Sequence, residues 1–172
     1  QQRSRIAILA GAKEVISSVG SYESLMNEIA ERAEVSRATI YNHFSDRDEL
    51  MSALLASEVE RLIAIAKGAK SRQEALLELS RAISDDTALA KMVETDAKDI
   101  VSITTITDHP LWIEIHRAAA DVFGADENNV GLILRWLIAQ VTSPLTEAQS
   151  FVQSQRLSCL LYTSPSPRDV EE

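Results

Sequence analysis

Residues 28–50 read "EIAERAEVSRATIYNHFSDRDEL", and the fold turns on how this stretch is punctuated. Ile29, Ala30 and Ala33 recur at helical spacing and continue from Met26, which predicts a helix from Ser24, its N-cap, to Ala33. A short break at Glu34-Val35 follows. Ser36 then stands where it can cap a second, short helix from Arg37 to about His43. Ser45 caps a third, and Asp46, Asp48 and Glu49 fill its first turn, where the macrodipole favours acids. Two helices, a tight turn and a short capped second helix make a helix-turn-helix layout.

The second helix has the side chains that a groove-reading helix needs. Ala38 is small enough to let the backbone approach a groove floor. Thr39 offers either a hydroxyl to a base edge or a methyl to a thymine. Tyr41 and His43 carry polar tips that reach phosphates, while Ile40 and Phe44 point back into a core. Arg47 adds a cation near the start of the next helix.

Outward from this stretch the chain stays helical. Ile8, Leu9, Ala12, Ile16 and Val19 mark a first helix over 5–19, stopped by Gly20. The helix after Ser45 runs to about Lys67, and Gly68 marks a joint. "SRQE", residues 71–74, has capping-box spacing and opens a helix to about Ser84. Residues 85–107 hold one or two helices, with a β-branched end from Val101. "DHP", residues 108–110, is a turn and helix entry; further helices span 111–123, 126–142 and from about 146. The expected fold is all-α, about nine helices, with no βαβ alternation. The expected domains are a helix-turn-helix domain over 1–50, a connecting helix over 51–67 and a C-terminal dimerisation and effector domain over 68–158.

Residues 159–172 stand apart. "CLLYTSPSPRD", residues 159–169, breaks the helical pattern and reads as the translation of an adapter used in transposase-based sequencing libraries. The segment is therefore expected to be a non-native tail.

Composition excludes several classes. Hydrophobic residues at 45% and charged residues at 25% leave room for a core. The most apolar run, "VGLILRWLIAQV", is interrupted by Arg135, so no membrane partner is expected. A single cysteine, Cys159, rules out an internal disulfide framework and fits a cytoplasmic protein. GxSxG, HExxH, GxGxxG and Walker patterns are absent, and neither an enzymatic activity nor a cofactor is expected. His109 and His116 lack the accompanying ligands of a metal site, so no metal is expected.

The order and spacing of "ILAGAKEVISSVG", "IAERAEVSRATIYNHF" and "SDRDEL" resemble the tetracycline-repressor (TetR) family of bacterial transcription regulators. The resemblance is specific over about residues 5–55. It places DNA-facing positions on Arg37, Thr39, Tyr41, Asn42 and His43, phosphate-contacting positions on Ser24 and Arg47, and Ser36 at the entry of the recognition helix. It implies a homodimer on double-stranded operator DNA, with repression as the expected outcome. It also implies an apolar small-molecule effector, for which Trp112, His116 and Phe123 on one expected helix are the candidate contacts. Glu34 departs from the family, which usually has glycine at this turn; a positive φ there costs a glutamate about 1–2 kcal/mol.

The formal net charge of −9 sits oddly with a DNA reader. Residues 1–50 carry Arg3, Arg5, Lys13, Arg32, Arg37 and Arg47 against a larger number of acids. Arrangement decides here, because salt screens charges beyond about 8 Å. Arg3 and Arg5 are expected to form an N-terminal arm to the DNA backbone. The alternative reading is a helical interaction module that has lost or weakened DNA binding.

Overall fold

The computed structural model describes residues 2–20, 25–106 and 108–162. Among them are ten α-helices and no strand: α1 Gln2–Val19, α2 Leu25–Arg32, α3 Arg37–His43, α4 Arg47–Gly68, α5 Arg72–Ser84, α6 Thr87–Thr95, α7 Ala97–Thr104, α8 Pro110–Phe123, α9 Glu127–Thr142 and α10 Glu147–Tyr162. The all-α expectation holds, and the tenth helix comes from residues 85–107, which split into α6 and α7 at Asp96. The β-branched end is helical as far as Thr104, and the Thr104 and Thr105 hydroxyls donate back to Ile100 O and Val101 O, at 2.7 and 2.6 Å.

The helices form two compact units, one of Gln1–Arg61 with Asp86–Ile106 and one of Leu62–Asp85 with Thr107–Glu172. This division differs from the expected domains, since α6 and α7 cluster with the N-terminal helices rather than with residues 68–158. In the first unit Ile8, Ala12 and Ile16 of α1, Leu25 and Ile29 of α2, Ile40 and Phe44 of the α3 turn and Leu50 of α4 are all buried. Met92 of α6 and Ile100 of α7 complete that core. Gly11 permits the approach of the α2 end to α1: a Cβ there would lie 3.2 Å from the Ala33 backbone nitrogen.

Polar groups fix the same helices. Asp86 Oδ1 accepts the Ala88 and Leu89 amides at 3.0 Å and so caps α6. Its other oxygen takes Lys13 Nζ of α1 at 2.8 Å, and the same ammonium reaches Glu58 of α4 at 2.6 Å. Arg61 closes the cluster on Glu58 at 2.8 Å.

In the second unit α5 packs along α10 and α9. Its core holds Leu76, Phe123, Ile133 and Leu134 among others. A buried polar seam runs through it. Ser80 donates to Gln140 Oε1 at 2.6 Å and lies 2.8 Å from the Ser150 hydroxyl. Ser84 donates to the same amide oxygen at 3.0 Å and accepts the Leu145 amide at 3.0 Å. Outside the seam, Arg81 pairs with Glu147 and holds that carboxyl below the usual carboxylate range.

Helix α10 continues through Cys159 to Tyr162, where the sequence pattern suggested a break. Leu161 falls one turn beyond buried Leu157 and is itself buried, so the helical stripe persists into the suspected tail. Residues 163–172 lie outside the described residues.

Candidate nucleic-acid interface

The turn between α2 and α3 is a Schellman motif built on a glutamate. Val35 N–H donates to Ala30 O at 3.0 Å and Glu34 N–H to Glu31 O at 3.2 Å, which is the paired pattern of that motif. The motif needs a left-handed residue at its centre, and Glu34 has φ 53°. Glu34 is exposed. Its Cβ therefore carries a backbone penalty that glycine would not.

Ser36 opens α3 as expected. Its backbone is extended (φ −71°, ψ 154°), and its hydroxyl accepts the Thr39 amide at 3.0 Å. Phe44 N–H closes the helix on Ile40 O at 2.9 Å. Ile40 and Phe44 are buried beneath the helix, which turns Arg37, Ala38, Tyr41 and Asn42 outward. Thr39 and His43 are half-buried at the edge of that face. Five candidate DNA-facing residues thus lie on one short helix. Ser24 lies outside the described residues.

Two neighbours differ from expectation. The cap of α4 is Asp46, not Ser45: Asp46 Oδ1 accepts the Glu49 amide at 2.8 Å, and Glu49 reaches back to the Ser45 amide at 2.7 Å. Those bonds, the backbone amide foremost and the Ser45 hydroxyl next, hold the Glu49 carboxyl below its ordinary range. Arg3 and Arg5 form no extended arm, because α1 is helical from Gln2. Arg5 instead lies over the Phe44 ring, 5.6 Å from its centre, within cation–π range.

Arg47, the expected phosphate contact, is engaged within the protein. Its guanidinium meets Asp99 of α7 at 2.8 Å and Asp48 at 3.4 Å. Burial alone would weaken its hold on the proton, and the Asp99 contact more than compensates. Asp99 is the residue that sequence reasoning missed, since nothing local ties it to a helix start far upstream.

The expected effector contacts lie on one helix at different depths. On α8, Trp112 and His116 are half-buried one turn apart, while Phe123 is core. His109 caps the helix, its Nδ1 accepting the Leu111 amide at 3.2 Å. An open cleft of about 450 Å³ in the same unit is lined by Lys67, Lys70, Arg72, Asp121 and smaller residues, and by none of the three.

The described geometry defines a helix-turn-helix domain joined to a helical C-terminal unit. Residues 8–54 match the family described as "Bacterial regulatory proteins, tetR family". That match covers the helix-turn-helix segment, so residues 8–54 are similar to the DNA-binding domain of that family. The chain is similar to the HTH-type transcriptional activator FasR of Mycolicibacterium smegmatis, with 41% identity over 56 residues covering 33% of this chain and 26% of that protein. It is also similar to the HTH-type transcriptional regulator UidR of Escherichia coli, with 32% identity over 63 residues covering 37% and 32%. The match thus spans a third or less of these relatives, confined to the length of the DNA-binding domain. Over the whole fold the chain is similar to the dihydroxyacetone kinase operon activator DhaS, with TM-score 0.65, 16% identity and coverage of 92% and 94%. A TetR transcriptional regulator from Rhodococcus sp. RHA1 gives TM-score 0.58, 20% identity and coverage of 96% and 99%.

Proposed function

We propose that this chain is a cytoplasmic, sequence-specific DNA-binding transcription regulator that binds a palindromic operator as a homodimer. The observation that carries the reading is the capped α3 helix, with Ile40 and Phe44 buried and Arg37, Ala38, Tyr41 and Asn42 outward. Arg37 supplies a two-donor fork and Asn42 a donor with an acceptor for base edges, and Tyr41 a hydroxyl for phosphate. Ser36 and His43 flank them, and Ser24 belongs to the same set by resemblance. In a dimer, two such helices enter successive major grooves about 34 Å apart. Repression follows where the operator overlaps a promoter. A mainly apolar effector, with Trp112 and His116 among its contacts and Phe123 behind them, would release DNA by preferring the unbound form. Reciprocity tests that part: a ligand found by thermal-shift screening must lose affinity in the presence of operator by the factor it imposes on operator binding.

The decisive experiment is selection of bound duplexes from a randomised library, followed by titration in salt. Neutralising six to ten phosphates costs roughly 10³–10⁵ in affinity between about 50 and 200 mM salt. Enrichment of a palindrome with that salt dependence is the expected result. No enrichment favours the second reading, a protein-interaction module, which the pairing of Arg47 with Asp99 supports.

A further inference from the structure

Resting on the reading of α3 as a recognition helix, we infer that Thr39 reads DNA through its methyl group, selecting a thymine in each half-site. The sequence leaves two groups on Thr39 for a base edge, hydroxyl and methyl, and the structure separates them. Thr39 Oγ1 lies 2.8 Å from Ser36 Oγ, the hydroxyl that also accepts the Thr39 amide at 3.0 Å. Ser36 has one proton and two lone pairs, and one lone pair is already taken by that amide. Whichever hydroxyl donates to the other, Thr39 Oγ1 is turned back toward the start of the helix.

Threonine is β-branched, so fixing the oxygen fixes the methyl. Turning the hydroxyl out to a base requires a rotation of about 120° to another staggered well, which breaks the pair with Ser36. The methyl needs no rearrangement. Thr39 is a half-exposed residue of the helix, with exposed Ala38 beside it and exposed Asn42 one turn on. In the major groove the apolar group that a base offers is the thymine C5-methyl. Methyl against methyl excludes water without leaving a donor or acceptor unpaired; a cytosine offers only a C5–H in that place, with an amino group where thymine has O4.

The test uses the full chain and a duplex selected from the randomised library. Each thymine is replaced in turn by deoxyuridine, which keeps every hydrogen-bonding atom and removes only the methyl. One position per half-site should lose about fourfold in affinity, and about fifteenfold when both half-sites are replaced together. Thr39→Ser keeps the hydroxyl and should bind thymine and uracil duplexes equally at that position. Thr39→Val keeps the methyl shape and should retain the thymine-to-uracil ratio, whatever its absolute affinity.

A flat uridine scan of the unmodified protein would overturn the assignment, and so would a Thr39→Ser protein that still distinguishes the two bases. The scan needs no substitution in the protein, so a variant that fails to fold leaves it decisive. Failure to enrich any sequence would remove the recognition-helix reading and this inference with it. An enriched sequence with a flat scan would remove the methyl assignment alone.

Discussion

Replacing Glu34 with glycine should stabilise the protein, and the amount follows from the turn. At φ 53° the glutamate Cβ sits in the left-handed region, at a cost of about 1–2 kcal/mol. Glycine removes that cost but loosens the unfolded chain, which takes back about 0.4–1 kcal/mol. The expected net gain is about 0.5–1 kcal/mol, visible as a rise of about 2–4 °C in Tm per kcal/mol for a chain of this size. Urea denaturation should show a higher midpoint at unchanged slope. Glu34→Ala is the control, since it removes the charge but keeps the Cβ, and it should not share the gain. Both variants should bind duplex DNA somewhat more tightly, through loss of one exposed negative charge near the phosphates. Equal stability of the glycine and alanine variants would show that the turn stores no such strain.

Asp99→Asn removes the shorter of Arg47's two acidic contacts, leaving Asp48, and should raise affinity for all duplexes alike, since phosphates carry no base information. The stability cost of losing this partly exposed pair should stay within about 1 kcal/mol in urea melts; a fall in affinity would show that Asp99 positions Arg47 rather than withholding it. Leu161→Ala should destabilise by about 2–5 kcal/mol as a buried leucine deletion, and a loss below about 0.5 kcal/mol would mean that the end of α10 is not packed. Glu147 is depressed in the folded state by Arg81, so its contribution is full above the ordinary glutamate range and fades as pH falls through the folded value. Stability should therefore decline below about pH 5, and less steeply in Glu147→Gln, as measured by urea midpoints across pH.

What the sequence made legible was what local chemistry decides. Ser36 and Ser71 each cap the helix they precede, accepting the amide three residues on, because that bond needs nothing beyond one turn of chain. The left-handed Glu34 was legible for the same reason, given the glycine expected at its place. The cap of α4 was missed by one position, where Ser45 and Asp46 compete and the carboxylate takes the amide. Pairings across long loops were not legible. Arg47 meets Asp99, and Lys13 meets Asp86, only through tertiary packing that sets α6 against α1 and α7 against α6. The effector contacts show the same limit. Periodicity placed Trp112, His116 and Phe123 on one helix, but which side faces a neighbour depends on packing that composition does not encode.

The seam of Ser80, Ser84, Gln140 and Ser150 also governs how the second unit moves. Sliding one helix past another by a turn, about 5.4 Å, would strand these groups in an apolar layer. Each group left without a partner costs about 1–3 kcal/mol, so a half-turn slip meets a rising penalty before any new register is reached. Apolar side chains alone would tolerate such sliding, because one leucine fits nearly as well as the next. The hydroxyls and the amide make the register of α5, α9 and α10 discrete. Motions that open this bundle should then be hinge-like, with the seam intact, or all-or-none, with the seam broken.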